Sequence, residues 1–172
     1  MLVRSVVLAI SPALLRSKCG NGGVVVPIHD GSEVRRFYER WSARVFRYCH
    51  LFLGDARQAE ASLEEAFLRF CRAGFELEGE KLPLDLMRFA VIASEGRCSP
   101  PKGAPDAESL EACVRFLPCK ERSVFLLRGT LGLSAAEVAE VTNISLQDAN
   151  RLWLRSVMNL RVWLKRSSQG AL

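Results

Sequence analysis

The sequence predicts an all-α protein: two small helical domains joined by a flexible linker, the second ending in a helix-turn-helix. Three observations predict this. Apolar residues recur every three or four positions over long stretches, and no stretch shows the alternation of a strand. Capping residues bracket those stretches. A run rich in proline and glycine, CSPPKGAPDAES at 98–109, interrupts all periodicity and separates an acidic middle from a basic end. The expected division is a leader at 1–31, a first domain at 32–97, a linker at 98–107 and a second domain at 108–172.

Composition sets outer bounds. The chain has 172 residues, a net charge of +5 and close to half apolar residues, enough for one domain or two small ones. Mild basicity makes nucleic acid the default partner without proving it. Six cysteines are present (Cys19, Cys49, Cys71, Cys98, Cys113 and Cys119), none in a CxxC pair, and only two histidines, His29 and His50. That set gives no ordinary zinc site. Cys49, Cys71 and Cys113 fall on apolar helical faces and read as reduced core thiols of a cytoplasmic protein.

In the leader, the apolar run VVLAISPALL is broken by Ser11 and Pro12. Arg16 and Lys18 follow where an export signal places small residues. No stretch approaches the length of a membrane span. Residues 1–31 carry no assigned function.

Ser32 opens the first helical pattern, in which Phe37, Tyr38, Trp41, Val45, Tyr48, Cys49, Phe52 and Leu53 form an aromatic stripe that Gly54 ends. Asp55 caps the second helix with Gln58 completing a capping box, and Gly74 stops it. Leu63, Ala66, Phe67, Phe70 and Cys71 are its expected buried stripe, and Glu60, Glu64 and Glu65 its acidic side. FELEGEKLP at 75–83 is an acidic loop, followed by a third helix over about 84–94. Beyond the linker, SLEACVRFLP and CKERSVFLLRGTLG give two more helices.

The last stretch organises the rest. Ser134 with Glu137 three residues later is a capping box opening a short helix through Thr142. Asn143 suits a left-handed turn residue. Ser145 caps a longer helix, with Asp148 in its first turn. Ala149, Leu152, Trp153, Ser156, Val157, Leu160, Val162, Trp163 and Leu164 supply its expected buried stripe. A short helix, a tight turn and a longer helix make the helix-turn-helix, whose second helix enters a DNA major groove. A plain helical bundle needs the same caps and seam. From residue 120 onward, however, eight basic side chains face four acidic ones, which places most of the excess positive charge on this unit.

No catalytic constellation emerges: there is no glycine-rich phosphate loop, no paired histidines, and no nucleophile beside a base in a recognisable motif. The reading is a non-enzyme without a cofactor or metal.

Taken together, FYERWSARVFRYCHLFLGDARQAEASLEEAFLRFCRAG and LPCKERSVFLLRGTLGLSAAEVAEVTNISLQDANRLWLRSVMNLR resemble the two domains of extracytoplasmic-function sigma factors, of the sigma-70 family. The resemblance spans roughly residues 34–164, and its specificity lies in the pairing of both halves. It implies a cytoplasmic factor that binds core RNA polymerase and directs it to promoter DNA, with an anti-sigma factor as a further candidate partner. The side of the second helix around Leu63, Glu64, Glu65 and Leu68 corresponds to the polymerase-gripping surface. Residues 75–97 correspond to the part that melts the promoter and captures an unstacked base. Ser145, Gln147, Asp148, Asn150, Arg151 and Arg155 correspond to the duplex-reading residues, where Arg and Asn suit guanine and adenine edges. The linker corresponds to the segment threading the polymerase channel.

The chain departs from the family pattern at Ala61 (usually Asp), at Cys71 (usually Trp), and in RFAVIASEGRC, where only Arg88 and Arg97 are basic. Its recognition helix has Asp148-Ala149-Asn150-Arg151-Leu152, with one cation, where the usual Thr-Val-Lys-Ser-Arg run has two; each missing phosphate contact lowers the salt slope of binding by roughly one unit. Two rival readings follow. A stand-alone helix-turn-helix regulator would bind duplex DNA without polymerase. A degenerate sigma-like interaction module would bind polymerase or a regulator without reading DNA.

Overall fold

The computed structural model describes residues 31–74, 80–99 and 109–169, with side chains to residue 165. The expectations for the leader, for most of the acidic loop and for most of the linker therefore lie outside the described residues. Among the described residues there are seven helices and no strand: α1 Gly31–Leu53, α2 Ala56–Arg72, α3 Leu84–Gly96, α4 Leu110–Phe116, α5 Cys119–Gly129, α6 Ala135–Thr142 and α7 Leu146–Gln169.

Local chemistry sets the boundaries. Gly54 ends α1 at φ +72°, a backbone state L-residues avoid, and a Cβ there would stand 2.6 Å from the Arg115 side chain. Asp55 caps α2 by accepting from the Gln58 amide at 2.7 Å; this forward bond is the cap observed. Ser109 caps α4 in the same way through the Ala112 amide at 3.1 Å. Pro83 and Pro118 stand just before α3 and α5, where an extended residue hands the chain to the helix.

The aromatic stripe of α1 is the centre of the first half. Phe37 stacks on Phe70 with centroids 5.1 Å apart and meets Phe67 edge-on at 5.8 Å, while Tyr38 tilts over Phe67 at 4.8 Å. Val45, Tyr48, Cys49 and Phe52 continue the stripe fully buried, each large side chain contributing about 1.5–3 kcal/mol by leaving water. Ala59 and Ala66 give α2 a low surface on which α3 packs closely through Leu86, Met87 and Ala90.

The core does not stop at the first half. Helix α1 also packs on α4 and α5, and α3 packs on α6, so one apolar cluster runs from Val34 through to Leu160. A polar seam crosses the same contact. The Tyr48 hydroxyl donates to Ser123 Oγ at 3.3 Å, Ser123 donates to Glu95 Oε1 at 2.8 Å, and Lys120 Nζ meets Glu95 Oε2 at 2.9 Å. Burial holds the Tyr48 phenol well above its usual pKa, so it serves as a neutral donor.

Arg122 is the deepest charge in the seam. Only 4% exposed, it donates to the carbonyls of Phe52 (2.8 Å), Leu117 (3.1 Å) and Arg115, and lies over the Phe52 ring at 4.9 Å. Five donors in a rigid fork let one guanidinium tie the end of α1 to the α4–α5 turn.

Two members of the apolar stripe of α7 differ from the expectation: Val157 and Val162 are 37% and 48% exposed. The helix is anchored instead through Ala149, Ser156 and Leu160, with Leu152, Trp153, Trp163 and Leu164 packed at the margin. A stripe that wide exceeds the arc one neighbouring layer of helices covers, so its edges face solvent.

Candidate nucleic-acid interface

The helix-turn-helix is built by its caps. The Glu137 amide donates to Ser134 Oγ at 3.3 Å and the Ser134 amide donates to Glu137 Oε2 at 2.8 Å, which completes the capping box of α6. The Ser134 hydroxyl, donating to Glu137 Oε2 at 2.7 Å, and then the Ser134 amide hold the Glu137 carboxyl below its usual pKa. Asn143 takes the left-handed conformation at φ 52°, and the Ile144 amide closes the end of α6 on the Ala139 carbonyl at 3.0 Å. Ser145 Oγ then accepts from the Asp148 amide at 3.0 Å and donates to Asp148 Oδ2 at 2.7 Å.

This turn presents the first turns of α7 outward. Gln147, Asn150, Arg151 and Leu154 are all exposed, at positions that share one helical face. Arg151 Nη2 is held by Asp148 Oδ1 at 2.6 Å. Asn150 accepts from Arg128 Nη1 at 3.1 Å, Arg128 lies over the Trp153 ring at 5.0 Å, and Phe125 stacks against the same indole with centroids 5.6 Å apart. Ser145 and Asp148 thus form the cap, and Gln147, Asn150 and Arg151 form the outward polar face. Arg155 sits one turn further on, 61% exposed, with Nη2 2.8 Å from the buried Glu121 Oε1. Glu121 also accepts from Asn159 Nδ2 at 3.2 Å.

Arg128 was not singled out from sequence. Its position in the last turn of α5 marks it as a basic residue near a helix C-terminus. Its reach to Asn150 depends on how α5 packs on α7, which periodicity does not encode.

In the first half, Leu63 is 3% exposed, sharing the inward face of α2 with Ala59, Ala66 and Phe67. The structure therefore sets it in the core with the buried stripe expected of α2, and not on the outward side with Glu64, Glu65 and Leu68. Glu64, Glu65 and Leu68 are partly exposed. Glu65 is shared between Arg69 at 2.5 Å and Arg97 at 2.6 Å. On α3, Arg88 Nη1 pairs with Asp85 at 2.7 Å and its Nη2 donates to the Glu140 carbonyl at 3.4 Å. Arg88 on α3 and Arg97 just past its end are thus both held by groups of this chain.

Among the described residues, no group of three His, Cys, Asp or Glu side chains stands where it could hold a metal ion, and no helix is long and apolar enough to cross a membrane. Comparison with curated proteins gives no match. Residues 107–160 match the family model described as Sigma-70, region 4, a span that takes in α4, α5, α6 and the first turns of α7. The C-terminal helices of this chain form a sigma-70 region 4 helix-turn-helix domain.

Proposed function

We propose that the chain is a sigma factor of the extracytoplasmic-function type, acting in the cytoplasm, which binds core RNA polymerase and directs it to specific promoters. The observation that carries this reading is a region 4 helix-turn-helix preceded, in the same chain, by a three-helix unit with an acidic outward side on α2. On this reading Gln147, Asn150 and Arg151 address base edges of the upstream promoter element, and Arg128 orders Asn150 for that contact. Residues 75–83 and α3 engage the melted strand, and Glu64, Glu65 and Leu68 meet the polymerase. An anti-sigma factor is a further candidate partner.

The test is capture of purified core RNA polymerase by the tagged full chain in reducing buffer. Stoichiometric capture that weakens with Glu64→Lys supports the reading. Failure to capture, with duplex DNA binding intact, would sink it in favour of a stand-alone regulator. Capture without any promoter-directed transcription would point to a degenerate interaction module.

A further inference from the structure

Two cysteines among the described residues are paired. Cys98, just past the end of α3, forms a disulfide with Cys119, the first residue of α5. The bond therefore joins the two helical halves across the linker. Cys49, Cys71 and Cys113 are free and buried. Cys98 and Cys119, by contrast, are only partly buried, within reach of a small thiol. Arg122 Nη1 stands 3.5 Å from Cys98 Sγ, a cation placed to stabilise thiolate sulfur at that position. A positive and partly exposed setting is what distinguishes reactive cysteines from inert buried ones.

The bond lies at the edge of the polar seam formed by Glu95, Lys120 and Ser123. Behind that seam α3 is covered by α6, and Arg88 lies against Glu140, 3.8 Å from its carboxylate as well as bonded to its carbonyl. Arg97, just past the end of α3, is held within the first half, by Glu65 and by the Ala93 carbonyl at 3.0 Å. In this closed arrangement Arg88 is the α3 cation matched to a group of the other half, where a nucleic acid strand would need it.

We infer that Cys98–Cys119 is a reversible thiol–disulfide latch: oxidised, it holds α3 shut against the helix-turn-helix half; reduced, it lets the halves part and frees α3. The latch itself follows from the geometry, while its consequence for polymerase and promoter binding rests on the sigma-factor reading. In the reducing step, a thiolate of a dithiol reductant attacks Cys119 Sγ. The sulfur–sulfur bond breaks, and Cys98 leaves as a thiolate beside Arg122. The second thiol of the reductant then displaces Cys119, and the reductant ends as a cyclic disulfide. Two electrons pass to the protein, and the two protons of the reductant thiols finish on Cys98 and Cys119. Reoxidation is the reverse exchange with a disulfide oxidant. In a reducing compartment, disulfides that form are transient and redox-sensing, as this proposal requires.

The experiment is hydrogen exchange by mass spectrometry on the full chain, oxidised with oxidised glutathione or reduced with dithiothreitol. A Cys98→Ser/Cys119→Ser double variant is measured in both buffers. A cross-link spanning a sequence separation of 21 residues restrains opening on the order of a hundredfold in the chain-entropy account. The expected result is exchange in α3 and α6 peptides faster by about that factor on reduction, with the variant matching the reduced protein in both buffers. Equal exchange in the two states, or free thiols at both positions after oxidation, would overturn the latch. Capture of core RNA polymerase by the same samples separates the two claims. Capture favoured by reduction supports the regulatory role, and equal capture in both states overturns it. Redox-dependent exchange with capture in neither state upholds the latch and sinks the sigma-factor reading.

Discussion

Arg155 Nη2 lies 2.8 Å from Oε1 of Glu121, a carboxylate 2% exposed beneath the helix-turn-helix. The pair fastens α7 to α5, so Arg155 holds α7 in place whether or not it also touches a phosphate. A buried carboxylate stripped of its cation is costly, though the outward arginine and the remaining Asn159 bond limit the loss. Arg155→Ala is expected to lower stability by about 1 kcal/mol without DNA, a melting drop of roughly 2–4 °C. Differential scanning calorimetry checks this. An unchanged melting temperature with weakened DNA binding would make Arg155 a DNA contact alone.

Arg122 should matter more. Its removal strands the carbonyls of Phe52, Leu117 and Arg115 in the seam and leaves a cavity over the Phe52 ring. Arg122→Ala is expected to cost about 3–5 kcal/mol, and Arg122→Lys less, since the charge stays but the fork is lost. Urea unfolding gives both values.

Glu137 makes the α6 cap sensitive to pH. Its folded pKa is depressed below the ordinary 4.5 by the Ser134 hydroxyl and amide. The stabilisation is therefore complete above the ordinary value and is lost as pH falls through the depressed one. Glu137→Gln removes that titration. The stability gap between wild type and variant is expected at neutral pH and should close on acidification, read by urea midpoints across pH 2 to pH 7, roughly the window carboxylates span.

Thiol reactivity should divide the cysteines. Burial pushes the Cys49 and Cys71 thiols up to about 11 and raises that of Cys113, so all three stay protonated at neutral pH. In the reduced native protein, iodoacetamide is expected to label Cys98 and Cys119 quickly and these three only after denaturation. Peptide mass mapping reads the order; rapid labelling of Cys49 in native protein would contradict the buried placement.

How much of this was legible in the sequence differs by kind of feature. Helix ends were, because Asp55, Ser134, Asn143 and Gly54 act through their own neighbours. The aromatic core of α1 was too, since its stripe has helical spacing and a single inward face. Glu121 and Arg122 were not: a charged dipeptide at the start of a helix counts as surface until the acceptors arriving from α1 and the α4–α5 turn, and the donors arriving from α7, are known. The same holds for Cys98 and Cys119, whose 21-residue separation says nothing about proximity. In the candidate interface, Gln147, Asn150 and Arg151 came from the family resemblance and prove exposed on one face of α7, whereas Arg128 needed the packing of α5 on α7.

The central claim is tested most directly by transcription from purified parts. Core RNA polymerase, with and without the reduced full chain, is given the DNA upstream of this protein's own gene. Transcripts from one defined start site are expected only when the protein is present, and Asn150→Ala or Arg151→Ala should weaken them without loss of polymerase binding. Polymerase that binds the protein yet yields no start-site-specific transcript would contradict the account.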